Sequence, residues 1–527
     1  MINRQDIEKI ITRRPVFSDL VFQRGFLITT SDADLTKISF CRKWVKQQLG
    51  SFFIWTHPNT NLFHTTDTNG KLFFLIGHAY DPVKMVFKEE DIIQELSSSF
   101  ETDPDAYQDV IDGLTGIFLT GVIDGSKFRF QSDAVSMYAS FSGIIDGQFY
   151  LSSHSNLVEC LTGIARDPYV DELVEYKYYP YFGASLPGVM SAYRGLERTQ
   201  CNSEYFYNGQ AISSARIYPR RKPEARPYRD LIQEICTLLE NNMTLIWSKW
   251  GEKAALSLTG GRDSTTSLAG AHNLLSSIRT FSHVSCEGEQ MDASAAELIS
   301  KAVHVSHVTY PIRLSAEEQA ECEDMGSIID YNMGSIGGIK EKDVRTIVYF
   351  FHHPKFEVEI KSWVDEIGRA RLHKRYLKKQ FPERLKPRYL TTVYKPFGLN
   401  RKLVRKTDKA FSAYLDRFYP TGTFDKRPWW DLIYWEYLWA SNEALHLLGE
   451  HMLPALVTIP FNNRILLDTM LCVDLEKRID DSIQKDVIEC LLPAINQTGV
   501  HVKDFGWDRK RELAERLYWE VQTKLPF

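Results

Sequence analysis

The chain has eight cysteines in 527 residues, and no two of them form a Cys-x-x-Cys pair. Their scatter (41, 160, 201, 236, 286, 322, 472 and 490) argues against a structural zinc site, a redox dithiol or a disulfide framework. It predicts a reducing, cytoplasmic setting. No apolar run approaches the roughly 18 residues that cross a bilayer. The opening Met1-Ile2-Asn3-Arg4-Gln5-Asp6 lacks the apolar core of a signal peptide. A membrane is therefore not expected among the partners. Internal repeats and low-complexity tracts are absent too. The formal charge of −5 gives no global pull toward nucleic acid. What remains is an ordinary globular composition, too long for one core, so two domains of roughly 200–300 residues are expected.

The informative segment is Leu258-Thr259-Gly260-Gly261-Arg262-Asp263-Ser264-Thr265. It follows the buried-strand pattern Ala254-Ala255-Leu256-Ser257 and leads into the helical pattern Leu268-Ala269-Gly270-Ala271. A strand, a glycine turn and a helix start suit phosphate, because backbone amides can close on anionic oxygens where no Cβ intervenes. Thr259 and Ser264 add hydroxyls. Asp263 would repel phosphate unless a divalent cation lay between them. No Gly-Lys-Ser/Thr follows, so this is not a Walker loop.

Residues 1–215 read as strand-rich. Phe52–Trp55, Leu72–Ile76, Gly116–Ile123, Phe128–Phe130 and Gln148–Ser153 are apolar or alternating runs. The turn pairs Asn69-Gly70, Asp124-Gly125 and Asp146-Gly147 bound them. This predicts stacked antiparallel sheets with helices outside. Tyr218-Pro219-Arg220-Arg221-Lys222-Pro223 reads as a linker, and Tyr228 to Lys249 has helical spacing. Strand candidates at 278–286 and His307–Pro311 flank a helix spanning Ser294–Ala302, opened by Met291-Asp292-Ala293. That order predicts a parallel sheet, with Asp263 and Ser285 at the carboxyl ends of its strands.

The glycine loop resembles the pyrophosphate (PP) loop of ATP pyrophosphatases. Other segments extend the resemblance to asparagine synthetase-like enzymes. Leu114–Phe118, Val122–Gly125, Phe130–Asp133 and Phe149–Ser153 look like the second half of their glutaminase-type domain. Ile360-Lys361-Ser362-Trp363-Val364-Asp365-Glu366-Ile367-Gly368 is similar to the loop that supplies a second metal carboxylate. Ala455–Arg464 resembles the Arg-Val-Pro-Phe-Leu-Asp segment, followed at family spacing by Lys485 and Leu492-Pro493. The resemblance implies an N-terminal nucleophile hydrolase-like αββα sandwich (1–215). A parallel-sheet, adenine nucleotide α-hydrolase-like synthetase domain with helical elaborations (216–527) would follow.

Two departures qualify it. Glutamine-hydrolysing members expose an N-terminal cysteine, whereas position 2 is Ile2 and the first cysteine, Cys41, sits in a helical stretch. The N-terminal domain is thus expected not to release ammonia, which places the chain beside the β-lactam synthetases and lasso-peptide cyclases. At Ser362 relatives carry a group that helps proton transfer, and serine alone is a poor base.

The resemblance implies an AMP-forming ligase that uses ATP and Mg2+, with a small-molecule or peptide carboxylate and an amine as substrates. Thr259, Gly260, Gly261, Asp263, Ser264 and Ser285 would hold the nucleotide, Asp263 and Asp365 (or Glu366) the magnesium, and Lys485 would neutralise developing charge. Asp263 could instead cap its helix, Asp365-Glu366 could start a solvated helix, and Lys485 could be an ordinary surface lysine. His352-His353 reads as structural, because adjacent side chains diverge. An ammonia-fed amidotransferase and a silent nucleotide-binding relative are the alternatives. The segment 369–409 holds fifteen Lys and Arg, interleaved with Tyr376, Phe381, Tyr389, Tyr394 and Phe397. It reads either as a solvated insertion or as a docking place for a leader peptide or carrier protein, with nucleic acid less favoured.

Overall fold

The computed structural model describes residues 2–183, 185–220, 224–376, 380–395, 399–420, 427–500 and 509–524. Among the described residues, twelve strands build the N-terminal half. They are β1 (Phe26–Thr29), β2 (Val45–Leu49), β3 (Phe52–Thr56), β4 (Leu62–Thr66), β5 (Leu72–Tyr80), β6 (Thr115–Asp124), β7 (Lys127–Ser132), β8 (Phe141–Ile145), β9 (Gln148–Ser152), β10 (Leu196–Arg198), β11 (Ser203–Tyr207) and β12 (Ile212–Arg216). They form two six-stranded antiparallel sheets, ordered β10-β8-β9-β1-β3-β2 and β12-β11-β7-β6-β5-β4. The predicted turns are in place. Asp146 and Gly147 both have positive φ (50° and 76°), as a two-residue turn matched to strand twist requires, and join β8 to β9.

Strand periodicity distributes the aromatics. Inward residues meet across the sheets, Phe52 with Phe128 at 5.2 Å and Phe149 with Tyr207 at 4.7 Å between ring centroids. The alternate residues Phe73, Leu75, Phe118 and Val122 point outward, under the helices Glu89–Thr102 and Pro104–Gly113. Strand β6 is therefore apolar on both faces, which is why it reads as a continuous run.

The second half carries β13 (Ala254–Ser257), β14 (Arg279–Val284), β15 (Ser306–Pro311), β16 (Val358–Ile360) and β17 (Leu456–Thr458). They form a parallel sheet ordered β15-β14-β13-β16-β17. The chain winds one way from β13 and then returns to its other side, so β13 and β16 flank the topological switch point. Ligands of open parallel sheets bind outside the carboxyl ends there. The helix Tyr228–Trp250 lies against one face through Met243, Leu245 and Ile246. The helix Arg262–Gly270 approaches it so closely that a Cβ on Gly270 would lie 2.6 Å from Leu239. The helix predicted to open near Met291 starts earlier, at Glu287.

The halves are sewn together by the segment after β17. Buried Asn462 donates to the Gly116 carbonyl (2.6 Å) and to Asp133 (2.9 Å). Asn463 donates to the Gly113 carbonyl (2.7 Å), and Arg464 pairs with Asp112 at 2.6 Å. The largest apolar cluster crosses residue 215, running from Ile7 to Trp519, and a second joins Tyr80 to the parallel sheet. Tyr218 and Arg220 differ from a free linker. Tyr218 is buried and bonded to Asp468, and Arg220 pairs with Asp109 and Asp112. Residues 221–223 of that stretch lie outside the described residues.

The basic segment is largely tied inward. Arg375 pairs with buried Glu515 at 2.8 Å, and Arg388 forks onto Asp408. Lys395 is buried, donating to the Tyr179 carbonyl at 2.8 Å, and burial pulls its pKa down to about 7. Tyr376, Phe381, Tyr389 and Tyr394 are core residues, while Phe397 lies outside the described residues. The helix Arg401–Phe418 keeps an exposed basic stripe at Arg401, Lys402, Arg405 and Lys409. No helix among the described residues is long and apolar enough to cross a membrane.

Candidate functional site

The glycine loop braces itself. Ser264 Oγ accepts from the Thr259 amide (3.1 Å) and lies 3.0 Å from Thr259 Oγ1, which in turn accepts from the Gly261 amide at 3.1 Å. The two hydroxyls expected to face phosphate thus hold the turn open. Gly261 is the N-cap of the helix Arg262–Gly270, and no side chain caps it. Asp263, the alternative cap, does not bond back to the helix start. The first-turn amides have no intrahelical partners, and the positive end of the helix dipole adds to them. Beside them, the guanidinium of half-buried Arg262 has no hydrogen-bond or ion partner among the described residues, and burial lowers its pKa.

The switch point brings Asp263 and Asp365 together. Asp365 stands at the start of the turn Asp365–Arg369 that follows β16, is wholly buried, and shares a hydrogen bond with Asp263. Gln484 Nε2 lies 2.9 and 3.0 Å from its two oxygens. Burial, and then the facing charge of Asp365, push the Asp263 carboxyl well above the usual range. Burial raises Asp365 as well, against its bonds to Asp263 and Gln484 and the charge of Arg369. Arg369 answers this negative charge. Its Nη1 reaches Asp263 at 2.5 Å and its Nε reaches Asp481 at 2.8 Å, where Lys374 also bonds. Burial works to raise Asp481, but Arg369 and Lys374 hold it below the ordinary carboxylate range.

Two facing carboxyl groups are the donor set that a hard divalent cation takes when phosphate oxygens and water complete its shell. Among the described residues there is no group of three or more His, Cys, Asp or Glu that could hold a metal alone. The pair fits a hard divalent cation only with further ligands that are not His, Cys, Asp or Glu side chains. Glu366, the alternative to Asp365, turns away to Tyr434 (2.7 Å) and Arg371 (3.5 Å).

Two predicted residues stand apart. Ser285 follows β14 as expected, but its amide and hydroxyl both bind Glu289, at 2.8 and 2.7 Å. Lys485 is exposed and donates to the Asp480 carbonyl at 2.6 Å. Successive helical positions point about 100° apart, and Gln484 takes the inward one. His352 and His353 bind Glu321 and Glu318, at 2.6 and 2.8 Å. Sequence reasoning missed Arg262, Arg369, Asp481 and Gln484. Their signal was weak, since Asp481 and Gln484 are more than 100 residues from the acids and the cation they bind.

The N-terminal half offers no comparable chemistry at its thiols. Cys41 lies in a buried single turn (Ser39–Cys41), and burial raises it and Cys201 well above the ordinary thiol value. Cys160 is pushed up to about 12. Such thiols are poor nucleophiles.

The fold is a mixed α/β architecture of two antiparallel sheets and a parallel five-stranded sheet. No family model and no curated protein matches the sequence. Among solved structures it is similar to the glutamine phosphoribosylpyrophosphate amidotransferase of B. subtilis complexed with ADP and GMP. That match has 10% identity over 57% of this chain and 62% of that one, with a TM-score of 0.24. A structure of the allosteric regulatory enzyme of purine biosynthesis matches at 8% identity over 56% of this chain and 61% of that one, also at 0.24. The match thus spans about three fifths of those proteins.

Proposed function

We propose that this protein is an ATP-dependent, AMP-forming carbon–nitrogen ligase that does not hydrolyse glutamine. The carrying observation is the Asp263–Asp365 carboxyl pair, set beside an uncapped helix start where β13 and β16 end. In this reading a substrate carboxylate oxygen attacks the α-phosphorus of ATP, and the bond to the bridging oxygen breaks to release pyrophosphate. An amine nitrogen then attacks the acyl carbon, loses a proton and expels AMP. Both steps load charge onto phosphate oxygens, so positioned donors and cations carry the catalysis.

The loop amides and Arg262 grip the departing pyrophosphate. Asp263 and Asp365 would hold magnesium, which supplies charge neutralisation at the leaving group. Gln484 orients Asp365. Residues 1–215 act as a scaffold without glutaminase activity, which fits the buried thiols.

ATP–pyrophosphate exchange over a panel of carboxylic acids tests the reading. Exchange that needs Mg2+ and is lost in Asp263→Ala is the expected result, and exchange retained in that variant overturns it. The Arg369–Asp263 contact also favours a silent nucleotide-binding protein. Nucleotide binding without pyrophosphate release, across all acids and amines tried, would select that alternative.

A further inference from the structure

We propose that Arg369 is the resident counter-cation of the unloaded site, and that it passes to the nucleotide phosphates once a divalent cation takes the carboxylates. The inference rests on the nucleotide-site reading above. Its basis is where Arg369 sits. The guanidinium forks between acids on two separate helices, Asp263 in the first turn of Arg262–Gly270 and Asp481 at the N-cap of Ser482–Leu491. Its own backbone belongs to the turn that delivers Asp365, so the cation and the second carboxylate are placed by one element. Positive-φ residues bracket that turn, Val364 at 79° and Ala370 at 49°.

Arg369 already occupies Asp263 and shares Asp481 with Lys374, so an added divalent ion alone finds the carboxylate oxygen it needs on Asp263 taken. A divalent ion must first displace a charge-assisted bond of 2.5 Å. When phosphates arrive with it, the displaced guanidinium has a better partner, because its fork matches phosphate oxygens. Lys374 stays to neutralise Asp481. Arg369 thereby makes cation binding depend on nucleotide.

The test titrates Mn2+ into wild type, Arg369→Gln and Arg369→Lys, reading free Mn2+ by electron paramagnetic resonance without nucleotide. Arg369→Gln should bind Mn2+ at least about tenfold more tightly, as expected for removing one charge-assisted competitor. It should bind pyrophosphate with Mn2+ at least about tenfold more weakly. Arg369→Lys keeps the charge without the fork, and should show a smaller Mn2+ gain and a clear loss of pyrophosphate binding. Mn2+ affinity equal to or weaker than wild type in both variants overturns the proposal. If wild type still binds Mg2+–ATP in that case, only the role of Arg369 falls. If wild type binds neither Mg2+–ATP nor Mn2+–pyrophosphate, the nucleotide site itself falls.

Discussion

The antiparallel half and the end of the parallel sheet treat buried charge in opposite ways. Asp133, wholly buried, accepts from the amides of Phe118, Val135, Met137 and Tyr138 and from Asn462. Buried Glu436, which comes from the second half, is gripped there by Arg216 and Asn202, from β12 and the loop before β11. These carboxylates are enclosed by donors. At the switch point Asp263 and Asp365 face one another, with Arg369 on Asp263 and Gln484 on Asp365, and the Arg262 guanidinium beside them has no hydrogen-bond or ion partner among the described residues. Donors that surround an acid stabilise a fold, whereas like charges held together cost stability and mark a place where something is to be bound.

Four substitutions probe that contrast. Asp263→Ala should lower ATP–pyrophosphate exchange at least about a hundredfold, with circular dichroism unchanged. Arg216→Ala, which strands the charge of Glu436, should cost about 3–5 kcal/mol in urea denaturation; a loss under 1 kcal/mol would mean the enclosure is not what holds that acid.

Asp263→Asn should have the opposite sign for stability. A carboxyl raised in the fold binds a proton that the unfolded chain does not. Wild-type stability should therefore rise as pH falls from neutrality toward the ordinary carboxylate value near 4. The variant, free of that charge, should be more stable than wild type at pH 7 without divalent cations and flatter with pH. Thermal melts from pH 5 to 8 would show it, and a less stable variant at pH 7 would contradict it. Lys485→Ala should change exchange less than about twofold, since surface changes remote from such features are near neutral; a hundredfold loss would mean the loaded enzyme recruits this lysine.

Elements with strong local rules were readable in advance. The glycine loop, the Asp-Gly hairpins and the helix at Tyr228–Trp250 each carry their signal in consecutive residues. Asp365 was named from the resemblance of its loop, and that loop follows directly on β16. Lys485 came from the family spacing, which locates a helix but not its rotation, and the inward place is that of its neighbour Gln484. The partners of the basic segment could not be read. Arg375 meets Glu515 and Arg369 meets Asp481 across more than a hundred residues, and composition cannot tell a paired guanidinium from a solvated one.

The seam at Asn462-Asn463-Arg464 has a consequence for how such a chain could change over time. Its amides and guanidinium satisfy carbonyls and acids of the first half, so deleting either half would remove these partners and bare the apolar core that the halves share. A lineage that ceased to need chemistry in the sandwich would still have to carry it, as ballast that keeps the neighbouring sheet soluble and shaped.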